Sequence, residues 1–437
     1  MTNNKLVQSS SIVNTMREAS PYMRAHRDEV FVVYVGGEAL HEPGLPGLVQ
    51  DLVLLRGLGV KLVVVHGARA QIDAKTAGLD IKQTFVGNLR VTGEATLVCV
   101  KEAVAAVRLE LEARLSQCAL DAPRRGSRLT VAGGNFVIAR PAGIVDGVDL
   151  HFTGEVRRID RTPIEQRLKH DELVLISPLG YSPTGEVFNL NALDLACAVA
   201  CEIGASKLIL MIEPPGIVDQ NGATVRQLTV GDARELNACD PVSDRFLECA
   251  VRACQFGVGR VHLVNRGIDG ALIDELYTRD GIGTLVSNTP FDQMRQATIE
   301  EVGGILALIT PLEREGSLVK RSREKLEIEI NHFSVLVREG IVVACGALYP
   351  LGNALGEIAC IAVHLDYRRD GFGNLVLASL ERRATEAGLE RLFVLTTQAV
   401  HWFLENAYVR TDMAELPIER QTMYNFQRNS TVLSKRI

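Results

Sequence analysis

The apolar residues of this chain gather into short continuous runs at 30–35, 61–65, 173–176, 208–212 and 261–264, each rich in Val, Ile or Leu. The first ends in Gly36-Gly37 and the second in His66-Gly67, and helix-like segments lie between the runs. Runs this short, alternating with helices, predict the buried strands of a mostly parallel sheet covered on both faces. Residues 131–140, with Gly133-Gly134 inside, predict a hairpin inserted in that α/β scheme. Residues 9–27 are polar and predict a surface helix or arm ahead of the first strand.

The stretch Ser287-Asn288-Thr289-Pro290 is the best linker. The expected organisation is an arm at 1–27, an α/β domain at 28–286, a linker at 287–292 and a second α/β domain at 293–437. In the second domain an apolar strand, Gly356-Glu357-Ile358-Ala359-Cys360-Ile361-Ala362-Val363, runs into a loop ending in Tyr367-Arg368-Arg369-Asp370-Gly371-Phe372-Gly373-Asn374. The loop opens a helix whose apolar stripe is Leu377, Leu380, Ala384 and Ala387, with Gly388 as its stop. A glycine-bearing turn at a helix N-terminus presents backbone N–H groups where the macrodipole is positive, an arrangement suited to a pyrophosphate. Gly371 and Gly373 let the backbone come close to the phosphates, and Arg368 and Arg369 add charge beside them.

A length of 437 residues fits two domains, and 47% hydrophobic with 23% charged residues is the composition of a soluble globular protein. A net charge of −6 argues against nucleic acid as a partner. No apolar run approaches the ~20 residues of a membrane span, and the polar N-terminus lacks the apolar core of a signal peptide. The nine cysteines show no CxxC spacing, so they read as reduced thiols of a cytoplasmic protein, with no disulfide frame and no metal site. Cys197 and Cys201 fall four apart on a helix and read as small core residues.

The spacing Arg368-x-x-Gly371-x-Gly373 after an apolar strand resembles motif A of the GCN5-related N-acetyltransferases (GNAT), with 391–397 as the next strand and 400–406 as the next helix. The resemblance implies that Arg368, Arg369, Asp370, Gly371, Phe372, Gly373 and Asn374 hold the pyrophosphate of acetyl-CoA. It also implies a splayed strand whose free backbone groups at Ile361, Ala362 and Val363 bind the pantetheine arm. Where many members carry a Tyr general acid in a Tyr-x-x-x-Gly-Phe pattern, this chain has Phe403-Leu404-Glu405-Asn406-Ala407-Tyr408, so the leaving thiolate must be served otherwise.

Arg321-Ser322-Arg323, Gly356-Glu357-Ile358-Ala359-Cys360, Leu395-Thr396-Thr397 and Tyr424-Asn425-Phe426-Gln427-Arg428-Asn429-Ser430 resemble the N-acetylglutamate synthase branch. That implies acetyl transfer to the α-amino group of L-glutamate, the first step of arginine biosynthesis. Glu357 is then the acceptor of the ammonium proton, and Thr396 a hydrogen-bond donor to the departing sulfur. Arg321 and Arg428 hold the substrate carboxylates. Simpler readings stay open for each: an exposed strand carboxylate, a β-branched strand end, solvated surface arginines.

Residues 20–286 resemble the amino-acid kinases, above all acetylglutamate kinase. The resemblance rests on Tyr34-Val35-Gly36-Gly37, Val65-His66-Gly67-Ala68-Arg69, Leu89-Arg90-Val91-Thr92, Phe188-Asn189-Leu190-Asn191-Ala192, residues 207–216 and Gly281-Ile282-Gly283-Thr284. It implies a carbamate-kinase-like three-layer sandwich. Tyr34 stands where those kinases carry a Lys, Ala68 and Arg69 fill their glycine cradle, and no Lys occurs between Lys207 and Lys320. Phosphoryl transfer depends on positive charge at the developing phosphate, so this domain is expected neither to use ATP nor to act as a kinase. The resemblance implies instead an L-arginine effector site at Tyr22, Lys207, His262, Glu275, Gly281 and Gly283, and a homo-oligomer, a hexamer in the family. His262, on an apolar strand, equally reads as a satisfied core histidine. Two other function classes remain: a bifunctional synthase and kinase, and a non-catalytic arginine sensor that only binds CoA.

Overall fold

Each of the five apolar runs forms a strand in the computed structural model, at Val30–Val35, Lys61–His66, Leu173–Ile176, Lys207–Ile212 and Arg260–Asn265. The structure describes every residue except 1–10, 122–128, 220–221, 237–239, 279–280, 289–291, 339–340, 369–370 and 423–429. It separates into two units, Met1–Pro290 and Phe291–Ile437.

In the first unit the five strands belong to one eight-stranded sheet. Its order is Gln227–Thr229, Thr284–Ser287, Arg260–Asn265, Lys207–Ile212, Val30–Val35, Lys61–His66, Leu173–Ile176 and Val131–Ala132. Neighbours run parallel except Arg260–Asn265 against Thr284–Ser287. Val32 and Val33 point to opposite faces and are both fully buried, so the sheet is covered on both sides. That double burial explains why the apolar runs are continuous and not alternating. The helix Ala192–Ile203 starts where the Asn191 side chain accepts the amides of Leu193 and Asp194, and ends at left-handed Gly204. With the helix Pro241–Gln255 it packs over one face of the sheet.

The hairpin expected at 131–140 does not form. Val131–Ala132 ends the main sheet, while Val137–Pro141 joins a separate four-stranded sheet. A tight hairpin needs positive φ at its turn, and neither Gly133 nor Gly134 has it. A Cβ would meet Arg108 at Gly133 and Phe136 at Gly134, so these glycines serve close packing. The polar N-terminal segment is a helix, Ser11–His26, exposed at Ile12 and Met16 but buried at Tyr22 and His26.

The second unit is a seven-stranded sheet in the order Asp292–Gln296, Phe333–Arg338, Ile341–Gly352, Leu355–Val363, Arg391–Thr396, Thr431–Arg436, Val409–Arg410. All neighbours are antiparallel except Leu355–Val363 and Arg391–Thr396, which run parallel. The helix Phe372–Glu386 covers one face through Val376, Leu377, Leu380 and Ala384. The helix Val302–Arg314 covers the other through Val302, Ile305 and Ile309. Of the expected stripe only Ala387 falls outside the core, because it caps the helix just before left-handed Gly388.

A candidate active site at a splayed pair of strands

The one parallel pair in the second unit is incomplete. Leu355–Ile358 lie opposite Arg391–Val394, and the pairing stops there. Past that point each strand stays with its outer neighbour, Leu355–Val363 as far as Val363 and Arg391–Thr396 as far as Thr396. The two strands therefore diverge, and among the described residues no strand pairs with the edge of residues 359–363 that faces the gap. A bulge reinforces the divergence: Cys345 pairs with Ala362 and Ala347 with Ala359, so Cys360 and Ile361 together face Gly346. Cys360, inside the bulge, takes a left-handed φ of 57°. Opposite the bulge, Gly346 lets the covering helix come close, since a Cβ there would strike Val376 and Leu380. The Ile361, Ala362 and Val363 side chains pack into the two cores, which leaves their backbone as the part facing the notch.

The notch leads to the start of the helix Phe372–Glu386. Gly371 caps it with φ 74°, no side-chain hydrogen bond to its first amides occurs among the described residues, and a Cβ on Gly371 would meet nothing within 4 Å. Exposed donors before open space are what an anion needs. Gly373 has a different reason to be glycine: its Cβ would lie 3.2 Å from the Trp402 ring. Tyr367 stacks on Phe372 at 5.6 Å, and Arg338 lies 5.1 Å from both rings, which fixes the loop against the helix. Asn374 accepts a hydrogen bond from Asn406 at 3.4 Å, and Arg368 is exposed. Arg369 and Asp370 lie outside the described residues.

Glu357 is neither exposed nor alone. It is 8% exposed, and both of its oxygens are held by the Arg420 guanidinium, Nη2 donating at 2.9 Å and Nε to the other oxygen. That carboxylate in turn pushes the Arg420 guanidinium above its usual range. Thr396, two residues past the last parallel pair, accepts the amides of Ala399 at 3.0 Å and Gln398 at 3.4 Å, which leaves its O–H free to donate. Phe403 is buried between Trp402 and Tyr408. The Tyr408 hydroxyl donates to Glu381 at 3.1 Å, and burial raises its pKa, so it offers no acid in place of the missing tyrosine. Arg321 donates to the Val319 carbonyl at 3.2 Å, while its Nε is buried without a hydrogen-bond partner among the described residues. Arg428 lies outside the described residues.

In the first unit, four of the six residues expected at an effector site, Lys207, His262, Glu275 and Gly283, form one buried chain. Lys207 Nζ lies 3.5 Å from His262 Nε2, and His262 Nδ1 lies 2.7 Å from Glu275 Oε1. Glu275 Oε2 accepts the amides of Ile282 at 2.7 Å and Gly283 at 2.8 Å. Burial alone would raise the Glu275 pKa, but the His262 hydrogen bond and charge and the two amides outweigh it and hold it below the usual value. The loop needs its glycines: Gly281 has φ 58°, and a Cβ on Gly283 would lie 2.2 Å from the Leu263 carbonyl oxygen. Tyr22 stands against His26, which also stands against Tyr277. Among the described residues, His26 Nδ1 and the Tyr277 hydroxyl are buried without hydrogen-bond partners.

A separate cavity of about 770 Å³ opens in the same unit, lined by Tyr34, Ala68, Arg69, Arg90, Asn189 and Arg245 among others. Burial pushes the Tyr34 phenol well above its usual range, so the position holds a neutral hydroxyl.

Arg420, Tyr277 and His26 were not singled out from the sequence. Arg420 is 63 positions from Glu357, and no spacing rule connects them.

Comparison with known proteins places each unit. Residues 29–265 match the amino acid kinase family and residues 300–406 the acetyltransferase (GNAT) family. Amino-acid acetyltransferases of Ectopseudomonas mendocina and Azotobacter vinelandii are each 49% identical, over 97% of this chain and 99% of theirs. The N-acetylglutamate synthase of Neisseria gonorrhoeae, solved with coenzyme A and L-arginine, is 35% identical with a TM-score of 0.90, covering 98% of this chain and all of that one. The same enzyme solved with coenzyme A and N-acetyl-glutamate is 36% identical, with a TM-score of 0.63 over 98% of this chain and 99% of that one. An incomplete parallel pair, an uncapped helix start beside it and these full-length likenesses agree: the chain belongs to the amino-acid acetyltransferases, acyltransferases that carry an amino-acid-kinase-like unit ahead of a GNAT unit.

Proposed function

We propose that the second unit transfers the acetyl group of acetyl-CoA to the α-amino group of L-glutamate, and that L-arginine bound in the first unit inhibits it. The observation that carries acyl transfer is the notch, an unpaired strand edge that runs to an uncapped helix start. An extended thioester arm adds to that edge as a strand, with its pyrophosphate on the amides after Gly371 and the positive charge of Arg368 and Arg369 nearby. The gonococcal synthase solved with N-acetyl-glutamate supports glutamate as acceptor.

In this reading the ammonium of glutamate gives a proton to Glu357, directly or through a water. The freed nitrogen attacks the thioester carbonyl, the tetrahedral adduct collapses as the C–S bond breaks, and the second proton lost by nitrogen goes to the CoA thiolate. Thr396 donates its hydroxyl hydrogen bond to the departing sulfur, a task that Phe403 cannot perform. Arg321 and Arg428 hold the carboxylates, and the orphaned Nε of Arg321 suits that task, because an unpaired buried donor costs about 1–3 kcal/mol until it finds an acceptor.

Arginine inhibition is supported by the Lys207–His262–Glu275 chain beside Gly281 and Gly283, and by the arginine-bound gonococcal relative. Tyr34 in the large cavity supports the absence of ATP chemistry, since a neutral phenol does not neutralise a developing phosphate. The exposed Ile12 and Met16 of the N-terminal helix support a homo-oligomer.

The test is CoA release from acetyl-CoA with a panel of free amino acids, titrated with arginine. Glutamate alone should support rapid turnover, and arginine should lower it. Equal turnover with other amino acids would remove glutamate as the acceptor.

A further inference from the structure

The helices Ala192–Ile203 and Pro241–Gln255 pack against each other, and cysteines collect where they meet. Cys197 and Cys201 lie one turn apart on the first helix, and Cys249 faces them from the second. The Cys197 sulfur is 3.9 Å from the Cys249 carbonyl oxygen, and the Cys249 sulfur is 3.9 Å from the Leu193 carbonyl oxygen, so the two side chains cross between the helices. Arg252 Nε donates to the Cys197 sulfur at 3.4 Å and is itself held by Asp194. A cavity of about 430 Å³ reaches this cluster, with Cys197, Cys201, Arg252, Asp194, Glu155 and Phe256 in its wall. Neither acyl transfer nor the effector chain uses any of these residues.

Two ordinary explanations are weak. Among the described residues no group of three His, Cys, Asp or Glu is placed to hold a metal ion. Plain core packing does not account for an arginine aimed at a sulfur, because a neutral thiol is a poor acceptor. The electrostatics agree with a thiolate. Hydrogen bonds from the Cys201 and Cys249 thiols, then the Arg252 hydrogen bond and charge, hold Cys197 well below the usual cysteine range. The same contacts and burial push Cys201 and Cys249 upward. One ionised sulfur beside a protonated one is the arrangement of a nucleophile and the thiol that resolves it.

Geometry selects the resolving partner. Residues four apart on a helix have Cβ atoms about 5–6 Å apart. A disulfide needs about 3.5–4.5 Å. A Cys197–Cys201 bridge would therefore unwind its helix, whereas Cys249, on the facing helix, is free of that spacing.

We propose that Cys197 is a reactive thiolate, reached from the 430 Å³ cavity, that exchanges with low-molecular-weight disulfides and is resolved by Cys249, joining the two helices covalently. In the first step the Cys197 thiolate attacks one sulfur of RSSR, forming Cys197–S–S–R and releasing RS⁻. In the second, the Cys249 thiol loses its proton to solvent and attacks the Cys197 sulfur, breaking the mixed disulfide and releasing a second RS⁻. Two electrons pass from the protein sulfurs to RSSR, which leaves as two thiols once protonated.

The test uses the full-length reduced protein, glutathione disulfide as the probe, and peptide mass spectrometry after acid quench and alkylation. A mixed disulfide at Cys197, buried but in the cavity wall, should form at least ten times faster than at Cys99 or Cys254, which are buried outside that wall, and give way to a Cys197–Cys249 cross-link. Cys249→Ala should stop at the mixed disulfide, and Cys201→Ala should still cross-link. Arg252→Gln should slow the first step several-fold at pH 7, with the gap closing toward pH 9 as the thiol ionises unaided; this arm stands even if the cysteine variants fold poorly. Reaction at Cys197 no faster than at Cys99, first attack at Cys201, a Cys197–Cys201 bridge, or an Arg252→Gln rate equal to wild type would each overturn the proposal.

Discussion

Arg420 grips both oxygens of Glu357 from a short helix 63 residues further along the chain, which makes the proposed base one half of a partly buried ion pair. Removing the guanidinium leaves a carboxylate without that partner, a change that costs less than the about 3 kcal/mol of a fully buried pair. Arg420→Met should therefore lower the urea midpoint, and Glu357→Gln added to it should restore part of the loss. Additive losses in the double variant would mean the pair is not coupled.

Glu357→Gln alone tests the chemistry. It keeps the shape but removes proton acceptance, so kcat should fall by roughly 10²–10⁴ at neutral pH. The deficit should narrow as pH rises, because more glutamate then arrives with a free amine. A variant with near-normal kcat at every pH would assign Glu357 to holding Arg420 in place.

Gly371 and Gly373 should fail differently. Gly371 has φ 74° and open space before it, so Gly371→Ala costs about 1–2 kcal/mol of backbone strain and distorts the first amides of the helix. The KM for acetyl-CoA should rise. At Gly373 a Cβ would lie 3.2 Å from Trp402, so Gly373→Val should displace that ring and change tryptophan fluorescence. As this is the only tryptophan in the chain, the signal is unambiguous. Unchanged acetyl-CoA affinity in both variants would remove the phosphate-loop assignment.

Arg428→Ala and Arg321→Ala should raise the KM for glutamate at least tenfold and leave that for acetyl-CoA within about twofold, the signature of a lost guanidinium–carboxylate contact. Equal damage to both substrates would indicate misfolding.

Glu275 offers a test with a pH sign. Its carboxyl is held below its usual value, so it contributes stability above its unfolded pKa and loses it as pH falls through the folded one. Glu275→Gln should be less stable than wild type at neutral pH, with the gap closing in acid below about pH 4.5. At neutral pH it should retain acetyl transfer and lose arginine inhibition. A variant still inhibited at wild-type arginine concentrations would move the effector elsewhere.

Loss of phosphoryl transfer is checked by following ADP release with ATP and acetylglutamate. No turnover above background is expected; robust ADP release would reinstate a kinase.

The strands were legible because double burial in a parallel sheet writes itself as unbroken Val, Ile and Leu runs. The loop at Gly371 was legible because its geometry restricts residue type. The partner of Glu357 was not, since an ion pair 63 residues apart has no period, and the mistaken hairpin at Gly133-Gly134 shows that paired glycines mark close packing as readily as a turn. Cys197 and Cys201 were placed correctly on one helix, but the residues that give them a chemical setting, Cys249 and Arg252, come from another.

The angle between the two splayed strands also acts as a depth gauge. The free edge of residues 359–363 is about 17 Å long at ~3.3 Å per residue. It closes where Ile358 meets Val394, both buried and hydrogen-bonded into the sheet. On the proposed placement of the thioester along this edge, the acyl group points into that closing angle, and each added methylene would have to prise two paired strands apart. Main-chain pairing would then limit acyl length, which no single side chain could relax fully. An enzyme of this build that accepts longer acyl groups must first part its strands one residue earlier.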